Sequence, residues 1–155
     1  LLKRMELQIN EGKSRQIDAR QTPFNFLGFT VRFDRSIYDK SKRFWHIKPS
    51  DKSCKRIRQN INMFLKHAGH YPPKKLSNGL NGRIRGWLNY FQIGGVSYTS
   101  LSKRKLNGYL RERLFQYYNR KSQRKTRLYR QQAFSILVEK YGMIDPMKYQ
   151  PLAVL

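Results

Sequence analysis

The stretch Leu80–Phe91, L-N-G-R-I-R-G-W-L-N-Y-F, decides the fold of this chain. Its apolar residues recur at the spacing of one helix face, which predicts an amphipathic helix with a buried stripe. Gly79, Gly82 and Gly86 cluster on another face, although each glycine costs about 1 kcal/mol relative to alanine inside a helix. A close neighbour would explain them, because glycine leaves room for another backbone. That neighbour is either an adjacent helix or a nucleic-acid backbone.

Apolar periodicity predicts three further helices around this stretch. The first begins after Ser50, a suitable N-cap, and ends at Gly69–Pro73. The central helix covers Lys74–Ile93, the third covers Ser100–Arg120, and a short one covers Gln131–Lys140. The core expected from these helices comprises Ile57, Ile61, Phe64, Leu80, Ile84, Trp87, Leu88, Phe91, Leu110 and Leu114.

Strand patterns precede the helices. Met5–Ile9 and Leu27–Phe33 alternate apolar and polar or small residues, and Phe44–Lys48 is a third candidate strand. The alternation slips beside Gly28, which predicts a bulge or bend there. Strands that come before helices favour an α+β fold, predominantly helical, with a three- to four-helix bundle. The expected divisions are a strand-rich entry (1–48), a helical region (49–140) and a C-terminal tail (141–155).

The charge of the chain indicates an anionic partner. Thirty-three Lys and Arg stand against nine Asp and Glu, for a formal net charge of +24. Self-repulsion of this size opposes folding, so nucleic acid, an acidic membrane surface or an acidic protein is expected to bind. Aromatic residues make up 14% of the chain, which excludes a disordered basic tail. No apolar run approaches the roughly 20 residues of a membrane span.

Residues suited to catalysis or metal binding are few. No adjacent acidic pair of the kind that holds two metal ions is present. His67 and His70 fit a helix end, where they complement the helix dipole, better than a metal site. Cys54, the single cysteine, falls on an apolar stripe and is expected to be a buried, inert thiol. It fits a reducing compartment. We therefore assign no catalytic residue and no metal ligand.

Binding through phosphates is the remaining chemistry. One-sided basic faces are expected to contact a phosphate backbone, whereas the spacing of Trp87 favours core packing over base stacking. The cations assigned to nucleic-acid binding from these faces are Lys52, Lys55, Lys66, Arg83, Arg85, Lys103, Arg104, Arg111, Arg120, Lys121, Arg124, Lys125 and Arg127.

The opening stretch resembles the maturase-specific motif of group II intron-encoded proteins, L-N-x-x-I-R-G-W-x-N-Y-F. Three further stretches are similar to the same family in the same order: Leu7–Ser14, Phe26–Phe29 and Tyr141–Pro146. The matching motif positions are Leu80, Asn81, Ile84, Arg85, Gly86, Trp87, Asn89, Tyr90 and Phe91.

The resemblance implies a right-hand polymerase in which residues 1–48 end the palm and 49–140 form the thumb, or domain X. In the family the thumb grips template–primer duplex during reverse transcription and intron RNA during splicing. Lys13 matches a lysine that approaches the phosphates of the incoming nucleotide, with Ser14 in place of the usual threonine. The Y-A-D-D catalytic block is absent here, so this segment is not expected to catalyse alone. Mg²⁺ is expected for the parent polymerase, and no cofactor for this segment.

Two functional readings follow from the resemblance. In the first, the chain is the RNA-binding thumb and maturase segment of a group II intron reverse transcriptase. In the second, it is a freestanding, non-catalytic RNA-binding protein derived from such an enzyme. Both imply structured intron RNA and RNA–DNA or RNA–RNA duplex as partners, no membrane, and a bacterial cytoplasmic or organellar location. A basic domain that docks on an acidic protein is the third alternative. Oligomeric state is left open.

Overall fold

The computed structural model describes residues 17–36, 39–119 and 128–151, which form a small antiparallel sheet followed by four helices. The α+β, predominantly helical class is thereby confirmed. The expected strand Met5–Ile9 lies outside the described residues, and the division into 1–48, 49–140 and 141–155 stays a prediction. The elements in chain order are β1 (Phe24–Phe26), β2 (Phe29–Arg35), β3 (Arg43–Pro49), α1 (Asp51–His67), α2 (Pro73–Phe91), α3 (Ser100–Asn119) and α4 (Ala133–Tyr141).

The alternation slip beside Gly28 is a hairpin turn, a sharper reversal of the chain than the bulge or bend that the sequence predicts. Leu27 and Gly28 both have positive φ, 46° and 82°, and they join β1 to β2 with Phe26 paired to Phe29. Two central residues of positive φ give the turn whose twist matches an antiparallel hairpin. The slip arises because Phe24–Phe26 folds back as a separate strand, and β2 then pairs with β3.

The hairpin turn is anchored to the start of α1. Ser50 caps this helix, with its Oγ accepting a hydrogen bond from the Ser53 amide at 3.2 Å. The Gly28 carbonyl oxygen accepts from the Ser50 amide and from Ser53 Oγ, both at 2.8 Å. A Cβ at residue 28 would lie 3.0 Å from Ser53 Oγ. The turn therefore needs glycine for its conformation and for this close approach.

The helices enclose one continuous core. Leu80, Ile84 and Leu88 on α2 are fully buried, and Trp87 on the same helix is 9% exposed. Of the expected core residues only Phe64 is half-buried, and it packs against the cluster. The predicted apolar stripe of the central helix is therefore the inner face of the bundle, stabilised by about 1.5–3 kcal/mol for each fully buried large side chain.

The three glycines of α2 meet different surroundings. A Cβ at Gly79 would lie 2.3 Å from Cζ of Phe64, whereas a Cβ at Gly82 or Gly86 would meet no described atom within 4 Å. Phe64 lies on α1, so the neighbouring helix explains Gly79. Among the described residues no adjacent helix explains Gly82 and Gly86, and a nucleic-acid backbone as their neighbour stays a prediction.

Replacing Gly79 by Ala is expected to destabilise the fold by about 1–3 kcal/mol, because the Phe64 ring must shift to admit a methyl group. Urea unfolding measures this change. Gly82→Ala is the matched control on the same helix, and it is expected to stabilise the fold by about 1 kcal/mol through helix propensity. Equal stabilisation by both substitutions would contradict the close contact between α1 and α2.

Candidate nucleic-acid interface

A stripe of lysines follows the outer side of α1. Lys52, Lys55 and Lys66 are exposed, while Ile57 and Ile61 on the opposite side of the helix are buried. None of the three lysines forms an ion pair with a described residue. The stripe runs almost the full length of the helix. We call Lys52, Lys55 and Lys66 the α1 lysine stripe.

Helices α2 and α3 add two more uncommitted cations. Arg85 on α2 and Arg104 on α3 are exposed, and neither contacts an acidic side chain within the described ranges. The described residues contain only two ion pairs, Arg32 with Asp34 and Lys42 with Asp39. Most of the positive charge is therefore left for an external partner.

Two of the assigned arginines already contact other parts of the chain. Arg83 donates to the Gly79 carbonyl oxygen at 2.8 Å and lies 4.2 Å over the Phe64 ring. Arg111 donates to Asn107 Oδ1 at 2.8 Å, and its guanidinium lies 4.3 Å from the centroid of the Phe134 ring. These two arginines support packing between helices as well as presenting charge.

Lys103 is in the interior instead of on the basic surface. It is 8% exposed, and its Nζ donates to the Tyr149 carbonyl oxygen at 3.0 Å and to Gln92 Oε1 at 3.2 Å. Burial lowers the pKa of this amine, and the charge of Asp145 partly offsets the effect. The long aliphatic stem allows Lys103 to lie beside the buried apolar residues of α3 while its amine bonds to the Tyr149 carbonyl oxygen of the C-terminal tail.

The other assigned cations cannot be placed. They lie outside the described residues: Lys13, Arg120, Lys121, Arg124, Lys125 and Arg127. Their roles stay predictions.

Two cations of the sheet were missed by the sequence analysis. Arg32 pairs in register with His46, and Lys48 pairs with Thr30, so Arg32 and Lys48 lie on the same face of β2 and β3. Strict alternation along both strands would have found them, since every second residue shares a face. Burial, followed by the charges of Arg32 and Lys48, lowers the pKa of His46 below its ordinary value of 6.5. Asp34 on the same face pairs with Arg32 and partly offsets this effect, whereas Lys48 forms no ion pair with a described residue.

The asparagines of α2 hold the C-terminal tail. Asn81 Nδ2 donates to the Gly142 carbonyl oxygen at 2.9 Å, and its Oδ1 accepts from the Ile144 amide at 2.7 Å. In the last turn of the helix, Asn89 Oδ1 accepts from the Tyr149 hydroxyl at 2.7 Å. Each asparagine thus satisfies polar groups of a segment some 60 residues away in sequence.

The carboxyl end of α2 holds the hairpin. The Tyr90 hydroxyl donates to the Leu27 carbonyl oxygen at 2.9 Å. Phe29, just after the turn, stacks on Tyr90 at 5.9 Å between ring centroids and meets Phe91 edge-on at 4.9 Å. The stretch Leu80–Phe91 therefore joins the sheet, the bundle and the tail, and its contacts are those of an architectural element.

No group of three or more His, Cys, Asp or Glu residues that could hold a metal ion occurs in the part of the chain that the structure describes. Cys54 is half-buried instead of fully buried as expected, because it lines a cavity beside the sheet. No described helix is long and apolar enough to cross a membrane.

The class of protein is defined by a basic helical bundle whose central helix, α2, contacts the sheet, the other helices and the tail. Residues 54–134 match the family described as group II intron, maturase-specific domain. This match covers more than half of the chain, from the first turn of α1 to the first turn of α4, and the chain belongs to that family. It is the C-terminal region of a group II intron maturase. A search of curated proteins found no match.

Replacing Asn81 by Ala is expected to destabilise the fold by about 1–3 kcal/mol, because the Gly142 carbonyl and the Ile144 amide lose their partner. Urea unfolding measures the loss, and faster exchange of the Ile144 amide proton locates it. Asn78→Ala, an exposed asparagine on the same helix, is the control and is expected to change stability by less than about 0.5 kcal/mol. RNA binding lost from fully folded Asn81→Ala protein would contradict an architectural role.

Proposed function

We propose that this chain is the thumb and maturase segment of a group II intron reverse transcriptase. In this proposal it grips intron RNA during splicing and template–primer duplex during RNA-directed DNA synthesis. Family membership supports intron RNA as the partner. The contribution of the chain is grip and orientation, through phosphates and A-form shape, since double-stranded RNA exposes a wide, shallow minor groove with little base information.

The observation that carries this proposal is the α1 lysine stripe. Fourteen residues separate its first and last members, which corresponds to about 21 Å along the helix axis. Charges spread over that length on a rigid element suit a polymer of regularly spaced phosphates better than a compact acidic ligand. The helix is held in place by its buried face and by the hairpin at its start. The backbone of the stripe is therefore already ordered before RNA binds, which reduces the entropy lost on binding.

Salt dependence tests the electrostatic grip. If about 6–10 phosphates are contacted, RNA affinity is expected to fall by about 10³–10⁵ between 50 and 200 mM salt, because bound phosphates release their counterions. Fluorescence anisotropy of a labelled RNA duplex measures this at several salt concentrations. Polyglutamate serves as the competitor that represents an acidic protein. A flat salt response, or tighter binding of polyglutamate than of duplex, would contradict the proposal.

Replacing Lys52, Lys55 and Lys66 together by Ala is expected to reduce the salt slope of RNA binding by about one unit for each lysine that contacts a phosphate. Stability should change by less than about 0.5 kcal/mol per substitution, because these side chains are exposed and form no ion pairs with described residues.

Lys140→Ala is the matched control for this experiment, because Lys140 is exposed on α4, a helix that packs mainly on α2 and α3. It should leave the slope unchanged. A triple variant with the slope of the parent chain would show that α1 does not contact phosphate.

A further inference from the structure

A cavity of about 430 Å³ lies where the sheet meets the helices. It opens between the Arg32 and Lys48 face of the sheet, the first two turns of α1 and the start of α3, with α2 behind it. Its volume is within the range of roughly 300–1,000 Å³ typical of small-molecule sites.

The apolar and aromatic lining of the cavity suits a flat ring. Cys54 and Ile57 come from α1, Leu106 from α3, and the Trp87 indole from α2. At the opening, His46 and Tyr98 lie 4.7 Å apart between ring centroids, and Tyr98 is 51% exposed. Bases stack on such rings, and each stacked base contributes about 1–3 kcal/mol of binding.

Cations surround the opening on three sides. Arg32 and Lys48 belong to the sheet, Arg58 to α1 and Lys105 to α3, whereas Asp51 is the single acidic residue among the described residues that line the cavity. Lys48 and Lys105 form no ion pair with any described residue. The charge therefore complements an anion that can be approached from more than one side, as the phosphates on either side of a nucleotide can.

Two buried nitrogens of the lining lack hydrogen-bond partners among the described residues. They are Nε1 of Trp87, whose side chain is nine-tenths buried, and Nδ1 of His46. A buried polar group without a partner costs about 1–3 kcal/mol. Both nitrogens are closed to solvent, so a ligand in the cavity reaches neither of them unless the surrounding side chains move.

We propose that this cavity binds one extrahelical nucleotide of RNA, with the base against Trp87 and the flanking phosphates on Lys48, Lys105 and Arg58. The proposal rests on the proposed function, since it takes RNA as the partner. It adds a site that recognises an unpaired nucleotide, whereas the α1 lysine stripe contacts the phosphate backbone of a duplex. Bound RNA would then be placed by a bulge or flipped base as well as by its helical shape.

Adenosine monophosphate is the first probe. The chain has two tryptophans, so Trp45→Phe leaves Trp87 as the only one, and its fluorescence is expected to be quenched by the nucleotide. Cys54 is the single cysteine, and in the unaltered chain the nucleotide is expected to slow its alkylation by N-ethylmaleimide. Inorganic phosphate and adenosine, tested separately, should each bind at least tenfold more weakly than the nucleotide.

Substitution of the cations that line the cavity tests the site in RNA. A duplex with one bulged nucleotide is expected to bind about tenfold more tightly than a fully paired duplex of the same length, the effect of one stacked base. Lys48→Ala with Lys105→Ala should abolish this preference, whereas Lys140→Ala should keep it.

The possible outcomes separate the two proposals. If AMP changes neither Trp87 fluorescence nor Cys54 alkylation, or if phosphate alone binds as tightly, the nucleotide site is overturned while salt-dependent duplex binding still supports the proposed function. An equal affinity for bulged and fully paired duplex also overturns it. If AMP binds but RNA does not, the proposed function fails together with the RNA part of this proposal.

Discussion

The close packing of α2 against its neighbours is the constraint on which the rest of the structure depends. Gly79 lets the Phe64 ring of α1 lie where a side chain would otherwise be. On the same helix, Asn81 bonds to two backbone groups of the tail, and Tyr90 bonds to the hairpin turn. One helix thus fixes the sheet, the bundle and the tail relative to one another. Most of the exposed cations lie on other helices, and their arrangement depends on how those helices pack around α2.

Most of the fold could be predicted from the sequence, because helices with one buried face repeat their apolar residues at a recognisable spacing. All four helices were found, and their ends differ from the predicted ones by a few residues. The hairpin turn was missed because Leu27 is an unusual residue at positive φ, and the broken alternation fitted a bulge equally well. The surroundings of Gly82 and Gly86 could not be predicted, because helical spacing shows which face a glycine lies on but not whether another element packs against that face.

The candidate interface was less predictable, because a long side chain can reach in several directions. Lys103 and Arg111 fall on helix positions that suit phosphate contact, yet both bond to other parts of the chain. The cavity beside the sheet was not foreseen, because Lys48 and Lys105 are distant in sequence and only the folded chain brings the sheet and the start of α3 to one cavity. With two ion pairs among the described residues and a formal net charge of +24, the chain keeps a large repulsive charge that RNA binding would relieve.

If α2 provides architecture while the outer faces grip RNA, the two sets of lysines will respond differently to RNA. Lysine footprinting by acetylation and mass spectrometry, with and without a saturating RNA duplex, measures this response. We expect RNA to protect Lys52, Lys55 and Lys66 on α1, while Lys74 and Lys75 on α2 keep the reactivity that they have in the free protein. Protection confined to Lys74 and Lys75, with the α1 lysines as reactive as before, would contradict it.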